Sequence, residues 1–138
     1  MIQETKICVF SLSERDVFKH KDMKFAINWL KNKGENPYLF RKMKPADGLA
    51  SGSIVLFSFD ARIFGQATVK KDVEKLSLEE KRQYGDDYNH KMILDPSVEI
   101  FRNHPKKRDV SLKIGKKFGQ VFTYLDRKQY QQILEIAR

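Results

Sequence analysis

Apolar and polar positions alternate and cluster along the chain in a way that divides it into short elements. Lys6 to Phe10 predicts a first strand, and Ser13-x-x-Asp16 has the spacing of a capping box that opens a short helix or turn. From about Asp22 to Lys33, the residues Phe25, Ala26, Trp29 and Leu30 form one apolar stripe at helical spacing, with Gly34 as its stop. "GENPYLFRKMKPADGLASG" is rich in turn formers at both ends and carries Tyr38, Leu39, Phe40 and Met43 between them, so it reads as a connecting loop holding one short ordered piece.

Ile54 to Phe59 and Ile63 to Val69 have the β-branched and aromatic content of strands. Only Asp60, Ala61 and Arg62 separate them, which predicts an antiparallel hairpin with a three-residue connection. Ser77-x-x-Glu80 repeats the capping-box spacing and opens a short polar helix, "LEEKRQY", ending at Gly85. "MILDPSVEIF" predicts a strand broken or bulged near Asp95-Pro96, because proline donates nothing to a ladder; "GQVFTYL" predicts another. The last helix is the best marked. Asp126 and Gln129 form a capping pair, Leu125 and Tyr130 are placed as a staple, and Tyr130, Ile133, Leu134 and Ala137 share a face. There is no internal repeat. The order strand, helix, loop, hairpin, short helix, strand, strand, helix predicts an α+β fold: a curved, mostly antiparallel sheet or barrel with flanking helices.

At 138 residues the chain is expected to form a single domain spanning 1–138, and its end on "LEIAR" suits a natural terminus or a domain cut from a longer chain. No apolar run approaches the roughly 20 residues that cross a bilayer, and the first residues lack a signal-peptide pattern, so a cytoplasmic location is expected. The single cysteine, Cys8, lies inside an apolar run and reads as a small buried strand residue. Charge changes the picture most. Lys and Arg number 27 against 18 Asp and Glu, a net charge of +9, which points to a polyanionic partner with nucleic acid foremost. The cations gather at Arg41, Lys42 and Lys44, at Lys70 and Lys71, at Lys106, Lys107 and Arg108, and at Lys113, Lys116 and Lys117. Several of these lie in segments expected to be loops.

Catalytic chemistry finds little support. His20, His90 and His104 are far apart and no cysteine pair accompanies them, so no metal site is expected. No G-x-S-x-G elbow or phosphate-binding G-x-x-x-x-G-K-S/T loop is present. Asp60 with Glu79-Glu80-Lys81 superficially supplies the acidic and E-x-K elements of a metal-dependent nuclease, but the latter fall in the polar helix rather than on adjacent strands. Binding is the better reading, without catalysis or cofactor. Phe57 and Phe59 share one strand face and Ser58 takes the other; the rings suit a packed core or one wall of a slot for a flat ligand. An aromatic slot beside a basic surface can grip a base taken out of the stack while cations hold the phosphates.

The order of these pieces resembles EVE domains of the PUA-like superfamily. The segment from Asn36-Pro37-Tyr38 through the basic Arg41 to Lys44, the strand Gly52 to Ser58 and the strand Ile63 to Lys71 is similar to that family's central region. "YNHKMILDPSVEIF" and "FTYLDRKQYQQILEIA" are similar to its later strands and closing helix. The chain departs from the family at its opening, where Ile7 to Ser13 replaces W-L-x-K-S-E-P, and at Ser58-Phe59-Asp60, which replaces Y-H-S. "GSIVLFSFDARIFGQATV" is most similar to the N-terminal base-reading modules of modification-dependent HNH endonucleases. The resemblance implies a PUA-like pseudobarrel and recognition of 5-methylcytosine or 5-hydroxymethylcytosine flipped out of duplex DNA, with a fused HNH nuclease domain expected beyond the C-terminus. The alternative is an RNA-binding PUA-like module that reads a modified or single-stranded nucleotide.

On this reading the base pocket lies where Phe10, Ser11 and Ser13 meet Phe57, Ser58, Phe59 and Asp60, with Trp29, Tyr38 or Tyr88 completing the wall. Asp60 is placed to accept from a cytosine amino group, or serves simply as a turn former. Arg41, Lys42, Lys44, Arg62, Lys70, Lys71, Lys106, Lys107 and Arg108 are the expected phosphate contacts.

Overall fold

The computed structural model of the chain describes residues 5–12, 18–40, 49–119 and 122–138. Ile7–Ser11 forms β1, and its run of three buried residues is explained by cover on both faces rather than one. Met23–Lys31 forms α1, opened by the Asp22 side chain accepting from the Phe25 amide at 2.9 Å. Tyr38–Phe40 is a short strand, β2, and supplies the ordered piece expected in that loop.

The hairpin is made by β3 (Ile54–Phe59) and β4 (Arg62–Thr68). Its connection is tighter than the sequence suggests. Arg62 already pairs with Phe59, leaving Asp60 and Ala61 alone in the turn with φ of 51° and 60°. Positive φ at both central residues is what a two-residue turn of type I′ needs to match the strand twist. A bulge lies beside it: Phe57 faces Gly65 and Ser58 faces Ile63, so Phe64 is the extra residue. Ile63 and Phe64, both fully buried, serve opposite sides of the sheet, and the bulge turns the consecutive Phe64 and Gly65 to the same side, toward α1.

Beyond the hairpin come β5 (Glu74–Lys75), α2 (Leu78–Tyr84) with the capping box read at Ser77 and Glu80, and β6 (His90–Met92). The Asp95-Pro96 break is real, since a single Val69–Leu94 bridge follows β6 and the chain pairs again only at β7 (Glu99–Ile100). Next is a helix the hydrophobic pattern does not reveal, α3 (Lys107–Ile114), so the basic "PKKRD" opens a helix instead of lying in a loop. β8 (Phe122–Leu125) and α4 (Arg127–Ala137) close the fold, α4 with the Asp126–Gln129 capping box.

Five strands lie in the order β7-β4-β3-β1-β8, and β2-β6-β5 form a second sheet. Among the described residues all pairings are antiparallel except β1 with β3, which needs the crossover through α1 and β2. The curved sheet is therefore mostly antiparallel, as expected, but it has edges at β7 and β8 and does not close into a barrel. Its two faces bury different clusters. Cys8, Phe10, Val55, Phe57, Phe59 and Phe64 pack toward α1 and the small sheet, while Val9, Leu56 and Ile63 pack toward Val110 and Ile114 of α3 and Ile133 and Ala137 of α4.

Candidate nucleic-acid interface

The parallel register of β1 and β3 sets Ser11 beside Ser58 at the ends of their strands, with the two hydroxyls 3.3 Å apart. Ser58 is buried and its carbonyl accepts from the Leu12 amide at 2.8 Å. The start of α3 docks on the hairpin here. The Lys107 amide donates to the Ala61 carbonyl at 2.8 Å, the Ile63 amide to the Pro105 carbonyl at 3.0 Å, and the Arg62 guanidinium to the His104 carbonyl at 3.0 Å. That docking brings the Lys107 ammonium to Ser11 Oγ at 2.5 Å. Burial pushes the Lys107 pKa below the ordinary lysine value. Ser11 thus sits between the buried Ser58 hydroxyl and a desolvated cation, and Ser11 and Lys107, both half-buried, are the polar groups of this cluster that reach the surface.

The sheet separates this cluster from the aromatic rings. Because side chains alternate along a strand, Ser11 and Ser58 face α3, while Phe10, Phe57 and Phe59 face α1. Phe57 is fully buried, and Phe59, at 3% exposure, leans on Phe18 with centroids 5.7 Å apart. Trp29 meets Phe57 at 6.0 Å, Phe18 at 5.1 Å and Tyr38 at 5.8 Å, all edge to face, and Tyr38 meets Phe10 at 5.3 Å. These rings fill one another's space and hold α1 and β2 to the sheet. The single pocket expected from the sequence is therefore distributed over two faces. Asp60 is exposed in the turn, and Tyr88 lies between α2 and β6 beside the small sheet rather than beside the serines. Ser13 lies outside the described residues.

The cations also divide. Arg62, Lys106, Lys107 and Arg108 gather at the hairpin tip, where the backbones of Arg62 and Lys106 pair in an isolated antiparallel bridge. Lys70 and Lys71 lie past the other end of β4, roughly 20 Å away at the rise of an extended strand. Lys70 is paired there with Glu35, whose carboxylate raises the lysine pKa through their hydrogen bond. Arg41, Lys42 and Lys44 lie outside the described residues.

Sequence reasoning missed two contributors. Phe18, at 3% exposure, joins Phe25, Trp29 and Phe59, and nothing in its local pattern announces that. Lys33 places its ammonium 4.9 Å from the Trp29 ring centroid and 5.7 Å from that of Tyr38. Its spacing four residues after Trp29, just past the end of α1, was the available signal. Among the described residues no three His, Cys, Asp or Glu side chains converge as metal ligands, and no helix is long and apolar enough to cross a membrane.

No protein-family model and no curated protein matches the chain. Solved structures do. An ASCH protein from Zymomonas mobilis matches over 96% of this chain and 96% of its own, with a TM-score of 0.65 at 16% identity. The N-terminal domain of Thermococcus gammatolerans McrB, solved bound to m5C DNA, matches over 96% of both chains, with a TM-score of 0.56 at 11% identity. A YTH domain of Zygosaccharomyces rouxii, in complex with N6-methyladenosine RNA, matches over 96% of this chain and 84% of its own, with a TM-score of 0.53 at 11% identity. The strand order, the single parallel β1–β3 pair and these full-length likenesses agree that the chain has the PUA-like fold expected from its resemblance to EVE domains.

Proposed function

We propose that the chain is a non-catalytic nucleic-acid reader that recognises 5-methylcytosine or 5-hydroxymethylcytosine in DNA by base flipping, as the specificity module of a modification-dependent restriction endonuclease with a fused HNH domain. The observation that carries the reading is the convergence at one strand end of Ser11, Ser58 and Lys107 with the cationic rim of Arg62, Lys106 and Arg108. The rim supplies phosphate contacts, and the cluster behind it supplies the polar groups that a base edge requires. Phe59 and Phe18 pack against each other on the opposite face of the same strand end. The McrB domain bound to m5C DNA, with the same fold, favours DNA. The YTH domain with its methylated RNA supports the second reading, an RNA-binding module for a modified or single-stranded nucleotide.

Titration with matched duplexes carrying cytosine, 5-methylcytosine or 5-hydroxymethylcytosine, and with single-stranded RNA, across a salt series tests both. Tighter binding of a modified duplex is expected, and equal affinity for all duplexes at one salt concentration refutes modification reading. RNA bound ahead of every duplex decides for the second reading. Arg108→Ala should weaken all duplexes alike and lower the salt slope by about one. Ser11→Ala should narrow the gap between modified and unmodified DNA without changing that slope.

A further inference from the structure

Away from the serine cluster, one face of α1 and the turn after it forms a groove of about 400 Å³ lined by Phe25, Asn28, Trp29, Asn32, Lys33 and Asn36. Its volume falls within the roughly 300–1,000 Å³ range of small-molecule sites. Neither Trp29 nor Phe25 is fully buried, and each carries a lysine ammonium over its ring: Lys33 at 4.9 Å from Trp29 and Lys21 at 5.1 Å from Phe25. Neither lysine pairs with a carboxylate of a described residue. The Lys33 ammonium lies over the rings with no carboxylate of a described residue beside it, and its burial lowers the pKa below the ordinary lysine value. The side-chain amides of Asn28 and Asn36 make no hydrogen bond with another described residue, whereas Asn32 donates to the Asn28 carbonyl at 2.9 Å. Two ring faces, the Lys33 ammonium and the Asn28 and Asn36 amides thus share one concave surface, and among the described residues none of these polar groups has a polar side-chain partner.

We propose that this groove is a second nucleotide subsite, which takes an unpaired base stacked on Trp29 with its phosphate on Lys33 and its polar edge on the Asn28 and Asn36 amides. Each part has a chemical reason. A base is a flat π surface that an indole binds whatever the sequence, and an amide can donate to and accept from a base edge. On entry the Lys33 ammonium leaves the indole face for the phosphate, exchanging a ring contact for a charged partner. The subsite goes beyond the reading at Ser11 and Lys107. It requires no modified base, because an indole face, an ammonium and amides bind the ring, phosphate and polar edge that every nucleotide presents.

Trp29 is the sole tryptophan of the chain, so its emission reports this site alone. The probes are a fluorescein-labelled single-stranded tetradeoxycytidylate, followed by anisotropy, and the same unlabelled strand, followed by Trp29 emission. Saturable quenching of Trp29, with a midpoint matching the anisotropy curve and unchanged by 5-methylation of the probe, is expected. Lys33→Gln should weaken that midpoint about ten-fold and Asn36→Ala several-fold, both substitutions lying at the groove surface where folding is spared. An anisotropy curve that saturates with Trp29 emission unchanged overturns the proposal, as does absence of binding or a Lys33→Gln midpoint equal to that of the unaltered protein. Discrimination between methylated and unmethylated duplexes is read separately, so either result can fail while the other holds.

Discussion

Gly65 lies where β4 passes between α1 and the edge strand β7, and replacing it with alanine tests the packing that fixes the position of α1. A Cβ there would meet the Glu99 carbonyl oxygen at 2.8 Å, Leu30 Cδ2 at 3.0 Å and Ile100 Cδ1 at 3.3 Å. The Leu30 methyl can rotate a few tenths of an ångström, but the carbonyl belongs to backbone paired across the sheet at Gln66–Glu99. Relief therefore requires β7 to move outward, straining the Phe101 amide bond to the Phe64 carbonyl, now 2.9 Å. Overpacking of this kind costs about 1–3 kcal/mol. Alanine also restricts the unfolded chain, which offsets about 0.4–1 kcal/mol. Gly65→Ala should thus lose about 1–2 kcal/mol, a fall in Tm of roughly 3–8 °C for a chain of this length. Thermal unfolding followed by circular dichroism measures it directly. An unchanged or raised Tm would show that β7 yields freely and that glycine is not required for the approach of α1.

Three further outcomes follow from local geometry. Ala61→Gly should raise stability by about 0.5–1 kcal/mol in urea unfolding, because Ala61 holds a φ of 60° in the hairpin turn; a lower midpoint would count against strain there. Hydrogen bonding from Lys91 at 2.5 Å holds the Glu80 carboxyl below the usual carboxylate range, so its contribution is full above the unfolded value and lost as pH falls through the folded one; Lys91→Met should flatten the acid limb of the stability profile, and an unaltered limb would refute the linkage. The Lys107 pKa in the free protein lies below the ordinary value through burial, so its charge should be lost at a lower pH than that of a free lysine, and on the proposed reading affinity for nucleic acid should fall as pH rises through that depressed value. Its effect on folding has the opposite sign, because the unfolded chain binds the proton more tightly and stability gains as pH rises across the same window. Lys107→Arg should remove the alkaline fall in binding, and superimposed profiles would refute the assignment.

How far the site could be read from the sequence depends on which elements announce themselves. The alternation of Phe57, Ser58 and Phe59 does establish that the serine and the rings point apart, and the apolar run around Cys8 does mark a strand covered on both faces. What it could not supply is the identity of the cover on each face. α3 buries only Val110 and Ile114, leaves Leu112 80% exposed, and begins at Lys106 without a side-chain cap, so no apolar stripe and no capping signal distinguish it from a basic loop. Without that helix, Lys107 reads as one more surface cation. With it, the Lys107 backbone is tied to Ala61 and its ammonium is delivered to Ser11, ninety-six residues earlier in the chain. Similarly, the β1–β3 register that places Ser11 beside Ser58 is a parallel pairing across forty-seven residues, set by the crossover and not by any local motif. Local pattern thus names the residue types of the candidate site, while the contacts that bring them together are long-range and made by the element with the weakest hydrophobic signature. A Val110→Ala substitution, removing a fully buried contact of α3, should for that reason affect recognition through the position of Lys107 even though Val110 itself lies in the core.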